Sequence, residues 1–238
     1  MNLNLTPLEW EALSLSLKVA VWATAASLPL GVLTAWVLAR TRFPGHSILN
    51  GVVHLPLVLP PVVVGYVLLI VLGRSGPVGG WLYDTFGISL AFTWKGAAVA
   101  AAVMAFPLMV RAMRLSLEAV NPGLEHAART LGASPFKVFF TITLPLMLPG
   151  VVTGAVLAFA RALGEFGATI TFVSNIPGET RTLPLALYTF TQVPDGEDGA
   201  LRLALLAVVV ALVALMASEV FARRVQRMTS GEDGGGET

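Results

Sequence analysis

Arg161 and Glu165 stand four residues apart inside an otherwise apolar run, LPGVVTGAVLAFARALGEFGATITFVSN. On a helix that spacing puts opposite charges on one face, close enough to pair. A charge at mid-membrane costs roughly 2.5 to 3.5 kcal/mol on insertion scales, so such residues face protein or water. Two uses fit: a structural ion pair holding helices together, or a lining or gate of an anion path. Thr169, Thr171, Ser174 and Asn175 follow as neutral donors. Such donors and helix ends can hold a tetrahedral oxyanion. The same hydroxyls can equally bond to their own helix backbone. Gly150, Gly154 and Ala158 precede the pair at helical spacing. At about 100° per residue, these positions and the ion pair share an arc of roughly 80°. Small residues in such a row are a helix-contact signature in membranes.

A second stretch, EHAARTLGASPFKVFFTITLPL, carries Glu125, His126, Arg129 and Lys137 between greasy runs. Pro122-Gly123 breaks the chain before it. Residues 125–131 read as a short helix with an acid in the first turn, where the dipole favours it. Gly132 suits a helix stop. Ser134 is an N-cap candidate, with Pro135 at the first helical position. A second short helix, 135–143, is expected to stop at Leu144-Pro145. Ala127, Ala128 and Leu131 leave a shallow apolar surface fit for a partner helix or cleft. A plain linker of amphipathic helices lying on the membrane fits these residues as well.

Enzymatic chemistry finds little support. There are no cysteines, and His46, His54 and His126 lack metal-ligand spacing. No Gly-x-x-x-x-Gly-Lys-Ser/Thr loop surrounds Lys18, Lys95 or Lys137, so ATP hydrolysis is expected on another polypeptide. A membrane-embedded enzyme built on Arg161, Glu165 and His54 would lack a Ser-x-x-Lys or His-Glu-x-x-His motif. No cofactor and no nucleic acid are expected.

The elements that position these residues must be membrane helices. Of 238 residues, 55% are hydrophobic and 12% charged, and the mean hydropathy is +0.78. Soluble domains carry about 25% charged residues, so this surface is not built to face water. The expected class is an all-α polytopic bundle of about five spans: residues 13–38, 48–72, 96–117, 146–173 and 201–221. Pro56, Pro60 and Pro61 predict a kink in the second span, with a broken helix the alternative. Residues 76–92 read as a loop with a short interfacial turn.

Arg40 and Arg42 lie between the first two spans, Arg111, Arg114, Arg129 and Lys137 lie between or flanking the third and fourth, and Arg223, Arg224 and Arg227 follow the fifth. The side these groups share is therefore cytoplasmic, with the N-terminus outside. The first residues lack the basic start of a signal peptide, so they are expected to stay attached. One permease domain is expected over residues 1–228, with a disordered tail at 229–238 and no appended regulatory domain.

Ala127-Ala128, Gly132 and Ile142-Thr143-Leu144-Pro145 resemble, at matching spacing, the "EAA" loop of ABC-transporter permeases. In that family the loop docks on an ATPase subunit and carries its closure to the spans. The resemblance implies that Glu125, Ala127, Ala128, Arg129, Leu131, Gly132, Ile142, Leu144 and Pro145 form this coupling loop, at about 121–145. One departure is visible: the family's glutamate slot falls on His126, and the acid is one residue earlier. That shift turns a side chain by about 100° on a helix. GEFGA is shared with sulfate and thiosulfate permeases, whereas TITFVSNIPGETRTLPLALY resembles molybdate permeases. The likeness implies a multi-pass inner-membrane subunit of a molybdate (or tungstate) importer, with a sulfate or thiosulfate permease as the alternative. Its implied partners are a second copy, two ABC ATPase subunits, a periplasmic molybdate-binding protein and membrane lipid.

Overall fold

The computed structural model describes residues 6–230, with side chains through residue 216. The side chains of Arg223, Arg224 and Arg227 and the tail 231–238 lie outside the described residues. Every regular element described is helical: α1 (Pro7–Arg40), α2 (His46–Val58), α3 (Pro61–Leu72), α4 (Pro77–Phe86), α5 (Trp94–Ala119), α6 (Pro122–Thr130), α7 (Pro135–Val138), α8 (Leu144–Leu163), α9 (Gly167–Val173), α10 (Leu183–Thr191) and α11 (Glu197–Ser230). Among the described residues four stretches are long and apolar enough to cross a membrane, and the count is five when the bent pair α2–α3 is taken as one span.

α1 begins six residues before the expected apolar span. Thr6 and Glu9 form a reciprocal capping box there, satisfying orphan amides of the first turn. With 34 residues, α1 is about 51 Å long, well beyond the roughly 30 Å hydrocarbon layer. α11 likewise reaches Ser230, two residues into the expected tail.

The second span is broken rather than kinked: α2 and α3 meet at 116°. Leu59 and Pro60 are both extended, with ψ of 143° and 133°. Each precedes a proline, and that position disfavours the α conformation. One proline bends a helix, as Pro56 sits within α2; two in succession end it. The fourth span also divides. α8 stops at Leu163, and α9 starts at Gly167. The expected interfacial turn is the ten-residue helix α4.

α5 is the core. Its most apolar stretch is 61% buried, against 11% for α11, which therefore lies at the edge. α5 packs between α1 and α8, and small residues allow the close approach. A Cβ at Gly31 would meet Met109 Sδ at 2.7 Å, and one at Gly154 would meet the Met109 carbonyl at 2.9 Å. A Cβ at Gly150 would collide with Ser116. The small row on the fourth span is thus the α8 seam against α5. A smaller cluster, including Leu13, Leu183, Ala186 and Leu203, joins α1, α10 and α11. There the buried Glu9 carboxylate accepts from Arg202 at 3.0 Å.

Candidate functional site

Residues 121–143, the segment that resembles a coupling loop, form two short helices held against one end of the bundle. Asn121 Oδ1 accepts from the Gly123 amide at 2.8 Å, capping α6. At its end Leu131 donates to the Ala127 carbonyl, and Ala133 donates to that of Ala128. Gly132 lies at φ +85°, the left-handed stop that glycine permits. The Ser134 hydroxyl accepts from the Lys137 amide at 3.4 Å, starting α7. α7 does not stop at Leu144-Pro145. A π-helical turn, Phe139–Thr143, carries it unbroken into α8. Pro145 lies just past the π turn, inside this continuous helix, and donates no backbone N–H there. Phe136 and Phe140 stack at 6.2 Å and are 78% and 57% exposed.

Glu125 faces the bundle, only 6% exposed. Its Oε1 accepts from Arg40 at 3.1 Å and from the Thr143 hydroxyl at 2.9 Å. Arg40 also donates to the Val120 carbonyl at 3.2 Å. One carboxylate therefore ties α6 to the end of α1 and to the π turn. His126, Ala127, Arg129 and Leu131 face away, with Leu131 88% exposed. Ile142 and Leu144 are half-buried and Pro145 is exposed. Arg40 carried only topological meaning in the sequence, and Thr143 carried none beyond its motif.

Arg161 donates to Glu165 at 2.6 Å. The pair does not span a helical turn, because Glu165 lies past the end of α8. Its second oxygen accepts from the Ala168 amide at 2.7 Å and caps α9. Glu165 is 2% exposed, so the pair closes the break between α8 and α9. The Thr169 hydroxyl donates to the Phe166 carbonyl at 2.8 Å, and that of Thr171 to Gly167 at 3.0 Å. Ser174 ends α9 at φ +63°. Asn175 donates to Thr189 at 2.8 Å and accepts from Arg181 at 3.0 Å. The four neutral donors thus divide between helix backbone and the connection to α10. His54 Nδ1 sits 2.9 Å from the Asn50 carbonyl. Among the described residues no cluster of acids and histidines could hold a metal.

Residues 27–227 match the model of the binding-protein-dependent transport system inner membrane component family. The chain belongs to that family. It is 63% identical over 219 residues to the molybdenum transport system permease protein ModB of Escherichia coli K12, covering 92% of this chain and 96% of that one. ModB of Haemophilus influenzae is 58% identical at the same coverage. A probable sulfate transport system permease of Chlorokybus atmophyticus is 39% identical over 73% of this chain and 60% of its own. In fold, the chain resembles a bacterial ABC transporter that imports alginate, with a TM-score of 0.71 at 18% identity over 92% of this chain and 80% of the other. It also resembles the inward-facing MetNI methionine ABC transporter, with a TM-score of 0.67 at 19% identity over 92% and 94%.

Proposed function

We propose that this chain is the membrane-spanning subunit of an ATP-driven importer of molybdate, with tungstate as a near-identical second cargo. The observation that carries the cargo is its 63% identity, across nearly the whole chain, to a molybdenum permease, against 39% to a sulfate permease over a shorter stretch. ATP hydrolysis belongs to two partner ATPase subunits. A second copy of this chain completes the membrane part, and a periplasmic binding protein delivers the anion. The N-terminus faces out and the coupling segment faces the cytoplasm, following its basic residues.

The geometry supports a lever. Ala127, Ala128, Arg129 and Leu131 form the face that an ATPase groove receives, and Gly132 fixes the turn behind it. Glu125 turns inward and holds α6 to α1 through Arg40. Ile142, Leu144 and Pro145 lie where the loop becomes α8 without a joint. A pull on α6 is therefore passed to α1 through the Arg40 ion pair and to α8 through the Glu125–Thr143 bond at the π turn, from which the helix continues. Closure of the ATPases on ATP draws two such loops together and opens the spans outward; hydrolysis resets them inward. The Arg161–Glu165 pair with Thr169 and Thr171 acts as the structural splice of the fourth span. Ser174 and Asn175 hold the connection beyond it.

Deleting the gene and measuring cell molybdenum in molybdate-limited, sulfate-rich medium tests the cargo. Molybdenum should fall and return when this chain alone is restored. Unchanged molybdenum with impaired sulfur assimilation would instead assign sulfate. Arg129→Glu or Gly132→Pro should leave the chain inserted but unable to couple; normal ATP-driven uptake by either variant refutes the lever.

A further inference from the structure

Arg111 lies within the membrane-spanning helix α5, eight residues before its end at Ala119, or about 12 Å inside it. Its neighbours in the spans are matched. Arg114 donates to Glu118 at 2.7 Å and to Asn50 at 3.1 Å, and Arg161 donates to Glu165. Arg111 is exposed and has no hydrogen-bond, ion-pair or ring partner among the described residues. It opens on a 560 Å³ groove between α5 and α8, with Leu108 and Leu115 on its own helix and Pro149, Thr153 and Leu157 opposite. The floor is closed, because the Gly150 backbone is pressed against Ser116. The groove therefore faces only outward from this protomer.

An unpaired guanidinium against lipid tails is costly, so a charged residue within a span faces water or protein or reaches to the interface. The α11 face shows what a lipid-facing surface looks like here: Val208, Val209, Leu212 and Val213 are all more than half exposed. The α5/α8 groove differs by holding a cation and the Thr153 hydroxyl, which donates to the Pro149 carbonyl at 2.8 Å. A two-fold axis brings the same patch of both copies together. Two Arg111 side chains then supply two positive charges, matching a tetrahedral oxyanion dianion that one alone would half neutralise.

We propose that this groove is one wall of the anion path, completed by the same groove of a second copy, and that Arg111 of each copy faces the transported oxyanion. This rests on the oxyanion-importer reading above. A cleft lined by one sign of charge concentrates its counter-ion and raises entry rates by roughly ten- to a thousandfold, less so as salt screens it.

The chain has no cysteine, so Arg111→Cys gives this chain a single thiol for testing in the full importer complex, reconstituted in vesicles, with the parent complex given the same reagents to account for thiols of the partner subunits. Arg111→Gln and Arg111→Cys should each lower molybdate uptake by about tenfold at low ionic strength, with the gap closing as salt rises. An aminoethyl disulfide adduct on the thiol of the assembled complex should restore uptake; a neutral methyl adduct should not. Because the adduct is added after assembly, a folding defect cannot imitate that contrast. Uptake by Arg111→Gln at the parent rate, or equal rescue by the neutral adduct, overturns the proposal. A defect that disappears in purely zwitterionic lipid assigns Arg111 to lipid headgroups and overturns it as well. If the parent complex carries sulfate and not molybdate, the cargo reading fails, and the same comparison is made with sulfate, also a tetrahedral dianion.

Discussion

Replacing Glu125 by alanine should loosen the coupling segment while leaving the bundle folded. One oxygen of that carboxylate accepts from both Arg40 and Thr143. The Arg40 side chain is 16% exposed, and its Nε already lacks a partner. Without Glu125 its guanidinium keeps only the Val120 carbonyl. Removing one member of a buried pair costs about 3–5 kcal/mol, since the other charge stays buried. Arg40 ends α1 and retains some contact with water, which places the cost near 3 kcal/mol. At 1.4 kcal/mol per decade, that is about a hundredfold rise in local opening. Amide hydrogen exchange on the assembled complex reads it directly. Peptides covering 122–143 should exchange about a hundred times faster, while those from the middle of α5 stay unchanged. Glu125→Gln keeps an acceptor for both donors and should shift exchange by only about tenfold. Exchange over 122–143 within about twofold of the parent would refute the anchor. Acceleration spread equally through α5 would also refute it, making Glu125 a general stability residue.

Three further outcomes follow from packing and charge. Arg202→Ala should lower the melting temperature of the detergent-solubilised complex more than Glu9→Ala does. It leaves the fully buried Glu9 carboxylate without its counter-charge, whereas Glu9→Ala leaves an Arg202 that reaches water and loses a capping box worth about 1 kcal/mol. Exchanging the charges in an Arg161→Glu, Glu165→Arg double variant should fail to recover the melting temperature that either single change loses. Glu165 also caps α9 through Ala168, and an arginine cannot accept that bond; full recovery would make the pair a simple bridge. Gly65→Ala should destabilise by about 1–3 kcal/mol through overpacking, because its Cβ would meet the Ala168 carbonyl at 2.5 Å and Thr171 Cβ at 2.9 Å. Unaltered thermal stability would show that α3 and α9 can move apart at no cost.

The features legible in the sequence were those set by local chemistry. The Gly132 stop, the Ser134 cap and the small-residue row are each written in a few neighbouring residues, and each is found in place. The spans were legible because hydrocarbon thickness demands long apolar runs. Partnerships across the fold were not. Arg40 and Glu125 are separated by 85 positions, and Glu9 and Arg202 by 193. No helical period links such residues, so only the packing of α1 against its neighbours reveals the pairs. The direction of Glu125 was half legible: a one-residue offset from the family slot implied a turned side chain, but not what it turns toward.

The two broken spans explain each other. α3 and α9 are the halves of the second and fourth spans remote from the coupling segment, and they pack together. A Cβ at Gly167 would meet Pro61 at 2.7 Å, so the start of one half-helix sits on the start of the other. Gly65 then lies against Ala168 one turn further on. Two unbroken helices would carry their own directions through this level and separate. The paired prolines turn α3 by 116° from α2, and the Gly164–Gly167 interval, spliced by Arg161 and Glu165, separates α9 from α8. The charges at mid-span thus have a task set by geometry: a broken helix leaves its amides unsatisfied, and in hydrocarbon a carboxylate that caps them needs a fixed counter-charge. That accounts for the ion pair without placing it in the path of an anion.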